Sequence, residues 1–200
     1  LVTIIALFTG AVTAWQAAFQ LKGIAPLSFL GGSVARAIVT ELAPVLTGIV
    51  IAGRVGASIA AEIGTMKVTE QIDALETMAI SPIRFLAMPR FVAAVIMMPV
   101  IVIFANVIAL FGAYVVSNFF LGVSVSVFFN SVQRYFEFID LVNGLIKTVF
   151  FGGMTSLLGC HIGLRTTGGA EGVGLSTIRS FVLSAASILI LDYVLWMILF

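Results

Sequence analysis

From Phe91 to Gln133 the chain carries no Asp, Glu, Lys or Arg. An ordinary soluble core has no room for so long an uncharged stretch, whereas about 20 apolar residues are enough for a helix to cross a bilayer. The rest of the sequence agrees. Charged residues make up 10% of the 200 and hydrophobic residues 61%, against about 25% charged in a soluble domain. The mean hydropathy is +1.22. Lipid must therefore be part of the solvent. Runs such as Val92–Phe104 are continuously apolar, whereas barrel strands alternate. The expected fold class is an all-α membrane protein with about five transmembrane helices plus a short cytoplasmic amphipathic helix.

Hydropathy places spans near 1–21, 38–62, 91–120, 139–163 and 178–200 in a single transmembrane domain over 1–200. The first run has no basic leader and no small-residue cleavage site, and so reads as a transmembrane helix rather than a signal peptide. Because the sequence opens on Leu1 rather than Met, a preceding segment is expected. Lys22–Ala37, with Gly23, Pro26, Gly31 and Gly32, reads as a loop or short re-entrant turn. Gly122–Phe138 reads as a polar, aromatic connection and Leu164–Thr177 as a mobile glycine-rich turn. Pro99 is positioned to kink the third span. Lys67, Arg84, Arg90, Arg165 and Arg179 fall on one side, against Lys22, Arg36 and Arg134 on the other. The positive-inside rule then puts 63–90 and 164–177 in the cytoplasm.

The cytoplasmic stretch near 67–80 carries the strongest functional signal. Val68, Ile72, Leu75 and Ala79 recur on one helical face, while Glu70, Asp73 and Glu76 fall on another, with Lys67 and Gln71 beside them. Ser81-Pro82 is expected to stop this helix. A helix resting on lipid headgroups normally shows a basic polar face, and an anionic leaflet repels an acidic one. A protein-docking helix is the better reading.

Within span two, Gly48, Ala52, Gly56, Ala60 and Gly64 recur every four residues. Small residues at that spacing let helix backbones approach closely in lipid, either inside one subunit or between two. Arg54, Lys147 and Asp192 lie within spans, and Glu41 and Glu62 nearer span ends. Charges at membrane depth should face protein or water and have partners. Depth along the helices pairs Lys147 with Asp192, with Glu41 as the second candidate, and the pair either serves transport or only holds the bundle. Arg54 and Glu62 either couple span two to the docking helix, or Glu62 snorkels to the interface.

Other chemistries find little support. The formal net charge of +1 offers no basic field for nucleic acid. No G-x-x-x-x-G-K-[ST] occurs, so the chain has no P-loop of its own. Cys160 is the lone cysteine and His161 the lone histidine; adjacent on a helix, they point apart, and no metal site is expected. Trp15, Tyr114, Tyr135 and Trp196 read as interface anchors or packing.

Four segments together resemble the MlaE/YrbE permease family: Glu41-Leu-Ala-Pro-Val, Ala52-Gly-Arg-Val-Gly, the run from Ala61 through Glu-Ile-Gly-Thr-Met-Lys-Val-Thr-Glu-Gln-Ile-Asp-Ala to Leu75, and Asp140-Leu-Val-Asn-Gly-Leu-Ile-Lys147. The resemblance covers roughly 36–200. It implies the permease subunit of a bacterial inner-membrane ABC transporter moving phospholipids between inner and outer membranes, with no catalysis of its own. It further implies a homodimer, a cytoplasmic ABC ATPase that binds ATP and Mg, a STAS-domain protein and a periplasmic MCE-domain protein. The 67–80 helix would be the coupling helix, and the first spans of the two protomers would flank a lipid cavity opening toward the periplasm. An ion-coupled secondary transporter using the intramembrane charges is the alternative.

Overall fold

A computed structural model describes residues 1–22 and 26–199; Gly23 and the final residue of the fifth expected span lie outside the described residues. Seven helices are named in chain order: α1 (Val2–Leu21), α2 (Leu30–Val68), α3 (Gln71–Thr77), α4 (Ile83–Phe119), α5 (Val125–Tyr135), α6 (Phe138–Leu164) and α7 (Gly169–Leu199). Five of them, α1, α2, α4, α6 and α7, are long and apolar enough to cross a membrane. The described residues contain no strand, as a membrane chain without a closed barrel requires, because lipid supplies no partner for unpaired backbone groups.

The helices extend further than hydropathy alone indicated. Leu30–Ala37, expected as a loop or re-entrant turn, is the first stretch of α2, and most of the glycine-rich 164–177 segment is the start of α7. Glycine weakens an isolated helix, but these helices are fixed by packing. The 122–138 connection contains a helix, α5. Three turns are widened to the π type: Ile38–Leu42, Ala52–Gly56 and Ile83–Ala87. The first and third are followed closely by Pro44 and Pro89. A proline removes the donor for the carbonyl four residues back and crowds it, and a locally widened turn reroutes the backbone bonds.

The chain divides into two compact units. The first comprises Leu1–Thr47 and Val100–Ile146. Here α1 buries Ala6, Gly10, Ala14 and Ala18 beside Ala105, Ala109 and Ala113 of α4. A Cβ on Gly10 would collide with the Ala109 carbonyl, and one on Gly112 with that of Leu7. The start of α2 is seated on α5 in the same way: Gly31 lies against the Phe128 carbonyl, and the Gly32 amide donates to Ser131 Oγ at 3.0 Å. That amide is one of the four a helix start leaves without an internal partner.

The second unit comprises Gly48–Pro99 and Lys147–Phe200. Its α2 stretch packs on α6 and α7. Gly48 lies beside Ile188 and Phe151, Gly56 beside Thr155, and Gly64 beside Thr166. Ser176, Ser180 and Ser184 of α7 are buried at the same four-residue spacing, and Ser180 Oγ donates to the Gly56 carbonyl at 3.0 Å. The small-residue stripe Gly48, Ala52, Gly56, Ala60 and Gly64, for which sequence left two locations open, is thus filled from within the chain.

Replacing Gly10 by Val is expected to force α1 off α4. Overpacking of this kind costs about 1–3 kcal/mol, which should appear as a lower melting midpoint in detergent, whereas Ala11→Val, on the half-buried flank of α1, should leave it nearly unchanged.

Candidate functional site

In the first unit, α1 and the early part of α2 enclose an open cavity of about 710 Å3, within the usual range of small-molecule sites. Phe8, Val12, Val34 and Leu46 supply its apolar wall. Thr9, Thr13, Gln16 and Gln20 recur along α1 and add a polar edge. The Thr13 hydroxyl is already satisfied by the Thr9 carbonyl at 2.7 Å. None of the described lining residues is charged. The cavity therefore suits hydrocarbon and neutral hydrogen-bonding groups. The family resemblance implied a cavity beside the first span, but reading the residues for charges did not single out this lining, although the 4-3-4 spacing of those four polar residues was a usable signal.

The intramembrane charges fall into separate places. Lys147 Nζ, fully buried, donates to Asp192 Oδ1 at 3.0 Å, and the same ammonium lies 4.9 Å from the centroid of the Trp196 ring. A carboxylate and a ring face together replace part of the water that the ammonium loses. Glu41 is half-buried in the first widened turn. Glu62 accepts from Arg90 at 3.1 Å and from Ser58 at 3.3 Å. Arg54 is exposed. A further pair that sequence reading passed over joins Arg36 to the buried Asp140 at 3.2 Å.

The stretch expected as one helix over 67–80 is broken. Helix α2 runs on to Val68, Glu70 adopts a left-handed conformation (φ 61°) at the corner, and α3 covers only Gln71–Thr77. Ala79, expected on the apolar face, is instead exposed with φ 60°. Its amide and that of Ile80 bond back to the Glu76 and Leu75 carbonyls at 3.0 Å each, a Schellman closure with alanine where glycine is usual. Pro82 therefore opens α4 rather than ending α3.

The apolar face of α3 is spent within the chain. Ile72 is buried, and with half-buried Leu75 it packs among Ile59, Ile63, Leu86 and Cys160. Glu70, Gln71, Asp73 and Glu76 remain exposed. Lys67 Nζ bonds Asp73 Oδ1 across the corner at 2.6 Å, and Gln71 Nε2 donates to Thr69 Oγ1 at 3.0 Å. Any partner at this site meets a mainly polar surface, with Met78 exposed at its edge.

Comparison with known proteins decides what this arrangement belongs to. The family model described as Permease MlaE matches residues 1–198. The chain belongs to the MlaE permease family. A relative named "Probable ABC transporter permease protein", from Rickettsia typhi, is 42% identical over 96% of this chain and 74% of its own length. A protein of the same description from Synechocystis is 39% identical over 96% and 73%. The Intermembrane phospholipid transport system permease protein MlaE of Haemophilus influenzae is 36% identical over 97% and 75%. As an MlaE permease the chain is a non-catalytic transporter component whose ATPase activity resides in a separate subunit. The ion-coupled alternative is not favoured.

Removing one member of a buried ion pair costs about 3–5 kcal/mol, whereas replacing both with apolar residues is often tolerated. Lys147→Met should therefore lower the yield and melting midpoint of this MlaE permease in detergent, and Lys147→Met/Asp192→Leu should recover most of the loss. A double variant as unstable as the single one would mean that Lys147 is held mainly by something other than Asp192.

Proposed function

We propose that this chain is the membrane-spanning subunit of a bacterial inner-membrane ABC transporter that moves phospholipids between the inner and outer membranes. The observation that carries the proposal is the uncharged, largely apolar cavity between α1 and α2. Acyl chains need apolar walls, and a glycerol or ester region needs a few neutral donors and acceptors. Thr9, Thr13, Gln16 and Gln20 lie along one edge of that wall. The Haemophilus relative, a phospholipid transport permease by name, supports the same substrate class.

The transporter works as a homodimer driven by a cytoplasmic ATPase that binds ATP and Mg. The ATPase docks on the acidic surface of α3. Because Ile72 and Leu75 tie α3 to α2 and α4, displacing α3 would move the long helices with it. A STAS-domain protein on the cytoplasmic side and a periplasmic MCE-domain protein complete the assembly, a reading that rests on the family resemblance.

Two outcomes are expected of the purified complex. Glu70→Lys/Asp73→Lys reverses the docking surface while sparing Ile72 and Leu75, and it should remove the co-purifying ATPase while leaving the permease folded. A wild-type-like complex would move the docking site elsewhere. Ala17→Trp fills the cavity from α1, and phospholipid bound per complex, counted by mass spectrometry, should fall well below that of the wild type. Unchanged lipid content would rule this cavity out as the lipid site.

A further inference from the structure

Gly56 stands where α2, α6 and α7 meet, and more hydroxyl groups face it than it uses. Ser180 Oγ donates to its carbonyl at 3.0 Å. A Cβ on Gly56 would lie 3.7 Å from Ser184 Oγ and 2.7 Å from the Thr155 methyl. Ser180, Ser184 and Thr155 are all buried, yet the hydroxyls of Ser184 and Thr155 have no partner among the described residues. Burying an unbonded hydroxyl is costly, and lipid offers no water to relieve it. The cost is also avoidable. A helical Ser or Thr can turn back to the carbonyl four residues earlier, as Thr13, Ser117 and Thr177 do in this chain. Ser184 and Thr155 forgo that bond.

The backbone at this junction is irregular as well. Two of the three widened turns are closely followed by Pro44 and Pro89. The one that ends on Gly56, Ala52–Gly56, has Ser58 at the corresponding position. Its rerouted hydrogen bonds have no proline behind them, and single widened turns gather at functional places. Across from it on α6, Gly159 has no Cβ; one there would lie 2.9 Å from the Gly56 carbonyl oxygen and leave it little room to move.

We propose that the Gly56 carbonyl has two hydrogen-bonded positions, on Ser180 in this structure and on Ser184 when α2 is displaced away from α3. The inference rests on the proposed function, in which the ATPase docks on α3. Helices α2 and α7 run in opposite directions, since Gly64 lies beside Thr166 and Gly48 beside Ile188. Ser184 is therefore on the side of Ser180 that faces away from α3, and a push on α3 carries the carbonyl toward it. Helix shifts of about 1–2 Å are an ordinary size for switching transitions, and rotation about the serine χ1 covers the rest. The same kind of bond is made at both ends, so the displacement gives up little hydrogen bonding. Ser184 is unbonded here because its bond belongs to the other position.

The test uses the whole purified transporter and two readouts: the melting midpoint without nucleotide, and the affinity for a fluorescent, non-hydrolysable ATP analogue. Nucleotide affinity and helix position are linked, so each variant should move both. Ser180→Ala removes the bond seen here; the midpoint should fall and the analogue should bind about 2–10-fold tighter, the worth of one ordinary hydrogen bond. Ser184→Ala should leave the midpoint unchanged or higher and weaken analogue binding by a similar factor. Ser176→Ala, which loses only the 2.8 Å bond to Thr166, should lower the midpoint without moving the affinity. A Ser184→Ala complex that melts lower, or that binds the analogue like wild type, would overturn the handover, and a co-purifying ATPase would leave the proposed function standing. A wild-type chain that brings down no ATPase would overturn both.

Discussion

Backbone-to-backbone contact at small residues is what the rest of this molecule depends on. Lipid tails are as apolar as leucine, so no hydrophobic effect drives two membrane helices together, and close van der Waals packing must do so instead. That packing is found wherever α1, α2, α6 and α7 meet a neighbour: Gly10 on the Ala109 carbonyl, Gly144 on that of Val39, Gly163 on the side chain of Ile63. Buried serines serve the same packing and add a bond, as Ser180 does at Gly56. Many large apolar side chains are thereby left to face outward, with Phe104, Val107 and Phe111 of α4 each more than half exposed. Small residues line the closest helix contacts, large apolar ones such as Phe128 and Phe151 fill the interior between them, and much further bulk faces outward.

The charged groups follow from that packing. A tightly packed interior has little space for an ion, so each intramembrane charge must be met locally. Lys147 is fully buried and has Asp192 and the Trp196 ring; Asp140 is equally enclosed and has Arg36. Both pairs link neighbouring helices, and neither lines the cavity. The chemistry offered to a ligand is therefore neutral, and the ionic groups tie helices to one another.

Much of this was legible from sequence, and the parts that were not share physical causes. Hydropathy located the apolar centre of every long helix, because lipid solvation acts on composition summed over about 20 residues. The four-residue period of Gly48 to Gly64 marked a packing face but not its occupant, since a backbone contact looks the same from either side of a subunit boundary. Gly31 and Gly32 read as breakers because propensity counts only the cost of glycine, not the approach of α5 that glycine permits. The ends of α3 were invisible for another reason. Glu70 and Ala79 hold left-handed backbone that L side chains rarely adopt, and nothing in their identity announces it.

On the proposed function, the widened turns acquire a mechanical meaning. Helix α2 is continuous from Leu30, beside the cavity wall, to Val68, where it meets α3. A perfectly regular helix of that length would transmit a push at one end as a rigid displacement of the whole. Two widened turns interrupt this one, at Ile38–Leu42 and Ala52–Gly56. Each is a place where hydrogen bonds are already rerouted, so bending there sacrifices less than bending elsewhere. The chain has no nucleotide-binding motif of its own, and its buried charges tie helices together. Work on the cavity would then have to arrive from outside, through α3, along a helix that can yield at two points.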